Sequence, residues 1–402
     1  MDTKRRALPP WLLLGAGFVV AADIRVAAPL LPAIADDFGT SVGVAGLTVA
    51  VYGLSYAAGQ MLYGRLGDRV GKVRVIRAVL LLFALGTGLC AVSPNLPVLL
   101  ALRLLTGAFA AGVIPMSLAW FGDTVVDYTA RRKQIGVFLS VIVSGQVFGQ
   151  ALGGILAGLL SWRAIFIVLG TVAALITLAM WRYHAPGGSG VRPARRGHFR
   201  AIFMSDRPLF LLTVTETFFF LGSFAFAGSE LVETRGASYP LVGSLLALFA
   251  VGSLVTSKGL ARVGARAPDA LRVASGGCVV AAGFALLATT PGPMLFGVAV
   301  FVLGLGLTFA HSTLQTRATE VSPDTRGAAV SLFAGIGNVG AALGTFAAGA
   351  VVDGLGYGAL FGTAAVGILV VAGAAVRWLG PHVRLPAGPP ASGGDAAARS
   401  AA

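Results

Sequence analysis

The chain is built from apolar runs that are each long enough to cross a lipid bilayer, repeated almost from end to end. An α-helix rises 1.5 Å per residue, so about 20 apolar residues cross a hydrocarbon core of about 30 Å. Twelve such runs stand out: Trp11–Pro32, Val42–Tyr63, Val75–Val92, Pro97–Phe121, Gln134–Leu160, Ala164–Trp181, Pro208–Leu231, Pro240–Leu260, Leu271–Thr290, Pro293–Thr313, Gly327–Val352 and Gly358–Trp378. They predict an all-α integral membrane protein with twelve transmembrane helices. Composition agrees, since only 11% of the residues are charged, where a soluble domain carries about 25%. The 56 glycines suit membrane helices, whose backbones approach closely where side chains are small.

The net charge of +14 sits in short clusters between the runs. It therefore reads as an orientation signal and excludes a nucleic-acid binder. Of the 30 basic residues, 26 fall on one side if every run crosses. The other side keeps Arg163 and Arg235, with the acids Asp36, Asp37, Glu230, Glu233 and Asp353. The positive side is the cytoplasmic one, so both termini are expected in the cytoplasm of a cell whose inner or plasma membrane holds the protein. Lys4-Arg5-Arg6 followed by Trp11–Leu31 is too long for a cleaved signal peptide and reads as a signal anchor.

The longest loop lies near mid-chain and holds Gly187-Gly188-Ser189-Gly190. It predicts a flexible cytoplasmic linker over residues 183–207. Six helices precede it (1–182) and six follow (208–380), with a disordered tail at 381–402 rich in Pro, Ala, Gly and Ser. The halves resemble each other weakly. Gly149-Gln-Ala-Leu-Gly153 in the fifth run matches Gly340-Ala-Ala-Leu-Gly344 in the eleventh. Gly259-Leu-Ala-Arg262-Val-Gly264 echoes a charged stretch after the second run, Gly64-Arg-Leu-Gly-Asp68-Arg69-Val-Gly71-Lys72-Val-Arg74, without its Asp. Parallel six-helix repeats are one transporter architecture.

Twelve spans in two pseudo-symmetric halves, a central linker and the stretch from Gly64 to Lys72 together resemble the major facilitator superfamily, over about residues 10–380. The loop is similar to that family's signature G-x-L-A-D-R-x-G-R-K, with Gly67 for Ala and Lys72 for Arg. Arg103-x-x-x-Gly107 resembles the embedded arginine motif of proton-coupled exporters. Asp23 with Ala28-Pro29-Leu30-Leu31-Pro32 resembles the first span of the drug and sugar efflux (drug:proton antiporter) branch. In the fifth span Gly145, Gly149, Gln150, Gly153 and Gly154 follow the antiporter motif, except that Gln150 stands where that motif has Pro. Gln150 brings an amide into the helix interface and leaves out the kink. The resemblance implies a cytoplasmic gate in which Asp68 faces the start of the eleventh span near Gly327, while Arg69 or Arg74 meets Asp123. Gly64 and Gly71 would allow close contact and a tight turn. The plainer reading of the loop is a topology signal alone.

Inside the membrane, charges mark function. Asp23 lies about 18 Å along its run from the basic side and Arg103 about 9 Å from the opposite side, so their depths differ by only about 3 Å. They predict an ion pair that either fixes two helices or carries proton coupling through Asp23. Glu216, about 12 Å into the seventh run, is a second proton site or the partner of a cationic substrate. Arg25 suits an anionic substrate group or snorkels to the interface. Gln146, Phe219 and Asn338 are further candidates for the substrate cavity, the two amides bonding across the helix interface as the alternative, and Phe218, Phe220, Phe224 and Phe226 extend an aromatic stretch around Phe219, with lipid-facing packing as the alternative. His311 reads as a gate or interface residue near the cytoplasmic end of its run, with a proton role as the alternative.

No nucleophile elbow, Walker loop or zinc spacing appears, so neither an enzyme nor ATP-driven transport within this chain is expected, and no cofactor or metal. Cys90 and Cys278 each sit inside an apolar run. The expectation is a secondary active transporter, acting as a monomer, that exports small amphipathic molecules (multidrug- or sugar-like) in exchange for protons by alternating access. The alternatives are an uptake symporter or uniporter for a small metabolite, and a non-transporting membrane sensor or scaffold.

Overall fold

A computed structural model describes residues 8–183, 198–257, 267–322 and 326–379. All regular secondary structure among them is helical. Ten helical segments are long and apolar enough to cross a membrane. The last, Ala328–Trp378, is 51 residues long and doubles back at Gly356, whose φ of 83° and ψ of 175° leave no comfortable place for a Cβ. It is thus the eleventh and twelfth spans. A shorter apolar helix, Tyr239–Val255, supplies the eighth. The twelve expected spans are all present, and they are numbered here in that order.

Local chemistry explains where the spans bend. The first consists of a helix Pro10–Val26, a 3₁₀ turn Ala28–Leu30 and a helix Leu31–Phe38. Pro29 and Pro32 withhold the N–H groups that would carry one helix through. The seventh breaks likewise into Arg207–Phe224 and Ala227–Arg235. The fifth begins at Tyr128, earlier than Gln134, because the Asp127 carboxylate accepts from Ala130 N at 2.6 Å and starts the helix there. The linker is only partly as expected. Residues 184–197 lie outside the described residues, but His198–Ser205 is a helix, and Ile202 is buried in one cluster with Leu209 and Phe210. Asp206 then caps the next helix by accepting from Leu209 N at 3.3 Å. Residues 380–402 and the echo at 259–264 also lie outside the described residues.

Large apolar side chains such as Leu85, Leu175, Val366 and Val370 are exposed on the outside of the bundle. Around a membrane protein that surface meets lipid tails and carries no penalty. Glycine sets the inner contacts. Gly145, Gly149 and Gly153 of the fifth span lie against the backbone of Phe18, Ala22 and Val26 in the first, and a Cβ on Gly149 would overlap the Ala22 carbonyl. Gly340 and Gly344 repeat this against Val214 and Phe218 in the seventh. The matched sequence segments of the two halves therefore make matched contacts.

The halves meet at the end of the bundle away from Pro10 and Trp378. Asp353 accepts from Ser41 Oγ at 2.6 Å and from Gly43 N at 2.9 Å, joining the second span to the eleventh. Gly154 and Gly158 of the fifth span lie against Tyr239 and Pro240 of the eighth. The side chain at Ser41 thus reaches that at Asp353 across the two halves. In a Cys90→Ser/Cys278→Ser background, Ser41→Cys with Asp353→Cys should form an intramolecular disulfide on mild oxidation. Persistent labelling of both thiols by a maleimide after oxidation would show that this end is open.

Candidate substrate and coupling site

Two acid–base pairs link helices of the interior, one of them buried on both sides. Asp23 comes from the first span. Arg103 comes from the helix Leu96–Ala110, which starts at Asn95, whose side chain accepts from Val98 N at 3.0 Å. Arg103 Nη1 donates to Asp23 Oδ1 at 3.0 Å and Oδ2 at 2.9 Å, and Nη2 reaches the Asp23 carbonyl at 3.4 Å. Arg103 Nε points to the Thr48 carbonyl at 3.5 Å. The Tyr52 ring centroid lies 4.1 Å from the guanidinium carbon, within cation–π range. Asp23 is 0% and Arg103 1% exposed, so each charge depends on the other. The expected pair is present.

The second pair was not anticipated. His311 Nδ1 lies 2.8 Å from Glu216 Oε2, and the imidazole packs beside the Phe333 ring, with centroids 5.3 Å apart. Glu216 belongs to the seventh span and His311 to the tenth, which correspond by repeat to the first and fourth. Each half therefore places an acid on its first helix and a base on its fourth. The sequence held this signal in the parallel positions of Asp23 and Glu216, but His311 was read alone. Along their helices Asp23 lies about 20 Å from Pro10 and Glu216 about 14 Å from Arg207.

Between the halves are two adjoining lobes of about 60 and 50 Å³. Arg25, Gln150, Leu221 and Phe224 line both. Tyr52, Tyr56 and Asn338 line the first, and Gln146 and Phe220 the second. Arg25, Gln146 and Asn338 are thus where the sequence reading put them, and Gln150 joins them. Phe219 is not. Its ring packs against Gly367 of the twelfth span and edge-on to Phe218, because one residue along a helix turns a side chain by about 100°. Phe220 and Phe224 take the cavity positions instead. Asn338 Nδ2 also donates to Gln60 Oε1 at 3.2 Å, a bond between the second and eleventh spans.

At the charged loop, Gly71 has φ 104° and ψ 129° and separates the helices Leu47–Val70 and Lys72–Cys90. Asp123 pairs with Lys72, a base of the same stretch as the Arg69 and Arg74 expected there. The turn at Gly71 swings Lys72 to the start of the third span, within reach of the end of the fourth. Arg69 is exposed. The side chains of Gly64, Asp68 and Gly327 lie outside the described residues. Of the cysteines, Cys90 is buried and Cys278 is exposed on its helix. No cluster of metal-ligating side chains occurs among the described residues.

Twelve helices in two repeats, closed around a polar-spotted cavity, define a multi-pass membrane transporter. The profile of the Major Facilitator Superfamily matches residues 13–344, and the chain belongs to that family. It is 29% identical over 367 residues to the uncharacterized MFS-type transporter YwfA of Bacillus subtilis (strain 168), covering 88% of this chain and 86% of that protein. It is 30% identical over 171 residues to the multidrug efflux pump LfrA of Mycolicibacterium smegmatis, covering 42% of this chain and 34% of the pump. Among solved structures, the nucleoside transporter NupG superposes with a TM-score of 0.76 at 13% identity, over 92% of this chain and 100% of that one. That likeness speaks to the fold alone. The family and the relatives make the protein a transporter and not an enzyme.

Removing one partner of a buried ion pair strands the other, at about 3–5 kcal/mol. Arg103→Met should therefore lower the thermal midpoint in detergent clearly, and Asp23→Leu with Arg103→Met should recover at least half of that loss. Additive losses in the double variant would mean that the two charges do not depend on each other.

Proposed function

We propose that this protein is a proton-coupled exporter of small amphipathic molecules, working as a single chain by alternating access in a cell membrane with both termini in the cytoplasm. The observation that carries this reading is the buried Asp23–Arg103 pair. Asp23 is followed two residues later by the cavity residue Arg25. A carboxylate held by one guanidinium in an apolar interior has two stable conditions, ionised with Arg103 attached or protonated with Arg103 released to its remaining carbonyl partners. Each condition favours a different packing of the first and fourth spans. Proton uptake from the far side and release to the cytoplasm then drives the exchange.

The Glu216–His311 pair offers a second group that can hold a proton in the other half. The mixed lining of the cavity, apolar at Leu221 and Phe224 and polar at Gln150 and Asn338, supports an amphipathic load. The printed activity of LfrA, a multidrug efflux pump, supports export as the direction. The glycine-bounded loop from Gly64 to Lys72 supplies the cytoplasmic gate, with Lys72 and Asp123 tying the third span to the fourth.

The test is flux from proteoliposomes of the purified full chain. An imposed inward proton gradient should accelerate efflux of a fluorescent amphipathic dye, and an uncoupler should abolish the acceleration. Asp23→Asn should lose at least about tenfold of the gradient-driven rate while retaining dye exchange down its own gradient. Full gradient-driven efflux by Asp23→Asn, in protein that stays monodisperse, would remove Asp23 from coupling.

A further inference from the structure

The cavity between the halves carries one uncompensated charge. Among the described residues that line its two lobes, Arg25 is the only charged side chain. The lining is otherwise apolar or neutral and polar. Of the other interior charges, Arg103 is on Asp23 and Glu216 faces His311, while Glu230, buried in the outer part of the seventh span, lines neither lobe. Neither Asp23 nor Glu216 lines a lobe, and among the described residues no hydrogen bond or ion pair is made by the Arg25 guanidinium.

Position and chemistry make this notable. Arg25 sits in the last turn of the helix Pro10–Val26, just before the break at Pro29. The helix end offers a partial negative charge, equivalent to about half an elementary charge, which moderates a full cation without neutralising it. A guanidinium stays protonated, presents a planar fork of donors and recognises carboxylates, sulfates and phosphates in a bidentate fashion. An unpaired cation in a mostly apolar cavity is costly. An anion that brings its own apolar body removes that cost and covers Leu221, Phe224 and Phe220 as well. A lipophilic cation meets repulsion in the same place.

We infer that the molecule carried is a small organic anion with an apolar or aromatic body, whose anionic group is held by Arg25 and whose body lies against Leu221 and Phe224. This rests on the reading of the cavity as the transport site. Gln146 and Gln150, also on the lobes, are placed to add neutral donors. The lobes are far smaller than the about 300–1,000 Å³ of a drug-sized site, so loading requires the halves to part.

Binding to the full chain in detergent, followed by intrinsic fluorescence, separates this from the question of proton coupling. The probes are 2-naphthoate, 2-naphthalenesulfonate, 2-naphthamide and 2-naphthylmethylamine, which share a body and differ in charge. The two anions should bind at least tenfold more tightly than the amide, and the amine should bind weakest. Arg25→Gln should bring the anions to the level of the amide, and Arg25→Lys should keep part of the preference. The inference is overturned if neither anion binds, if the amine binds as tightly as the anions, or if Arg25→Gln leaves the order intact. Anion binding without gradient-driven efflux would leave this inference standing and remove the exporter. Efflux of a cationic dye with no anion binding would do the reverse.

Discussion

A charge placed in hydrocarbon must find a partner or drive the structure apart, and the interior of this protein follows from that constraint. Arg103 is among the largest fully buried side chains in the chain. It is tolerated because one carboxylate takes two of its contacts, two carbonyls lie beside its other nitrogens, and the Tyr52 ring covers its face. The pair ties the first span to the fourth, while Thr48 and Tyr52 bring in the second. Three helices of one half are thus registered around a single ionic contact. The second half uses a softer version, a carboxylate and an imidazole with a phenyl ring alongside. Guanidinium is a permanent cation and imidazole is not, so the two halves share a plan and differ in how firmly their charges are fixed.

Much of the fold was legible because the bilayer imposes a length on every helix. Runs of about 20 apolar residues located all twelve spans, and the weak repeat between Gly149–Gly153 and Gly340–Gly344 became two matched helix contacts. The helix starts were less legible. Tyr128 and His198 begin helices that lie partly outside the apolar pattern, since a cap or a small buried patch sets them and hydropathy does not. Depth along the sequence also sufficed to join Asp23 to Arg103.

Direction around a helix was the weak point. Phe218, Phe219, Phe220 and Phe224 form one aromatic run, and the sequence alone does not say which ring faces the cavity. The backbone answers it through Gly367, which admits the Phe219 ring against the twelfth span. The same limit hid the contact between His311 and Glu216, because two helices far apart in sequence meet only once the bundle is assembled. At the charged loop, the positive φ of Gly71 brings Lys72 next to Asp123, an effect of one backbone angle that residue type does not report.

The closure at Asp353 has a consequence for how the two halves hold together. They are joined there by two hydrogen bonds to a carboxylate and by glycine-lined backbone contact, and one buried apolar cluster continues across the seam, with Val26, Leu30 and Val42 on one side and Phe226, Val242 and Leu246 on the other. Hydrogen bonds to a charged group contribute about 1.5–3 kcal/mol each, less where water reaches them. The carboxylate is therefore a polar catch of a few kcal/mol set at the rim of that apolar contact. Reversing a strongly biased two-state equilibrium takes about 5.5 kcal/mol of differential binding. A polar catch of this strength lies within what one small, well-fitted guest can undo.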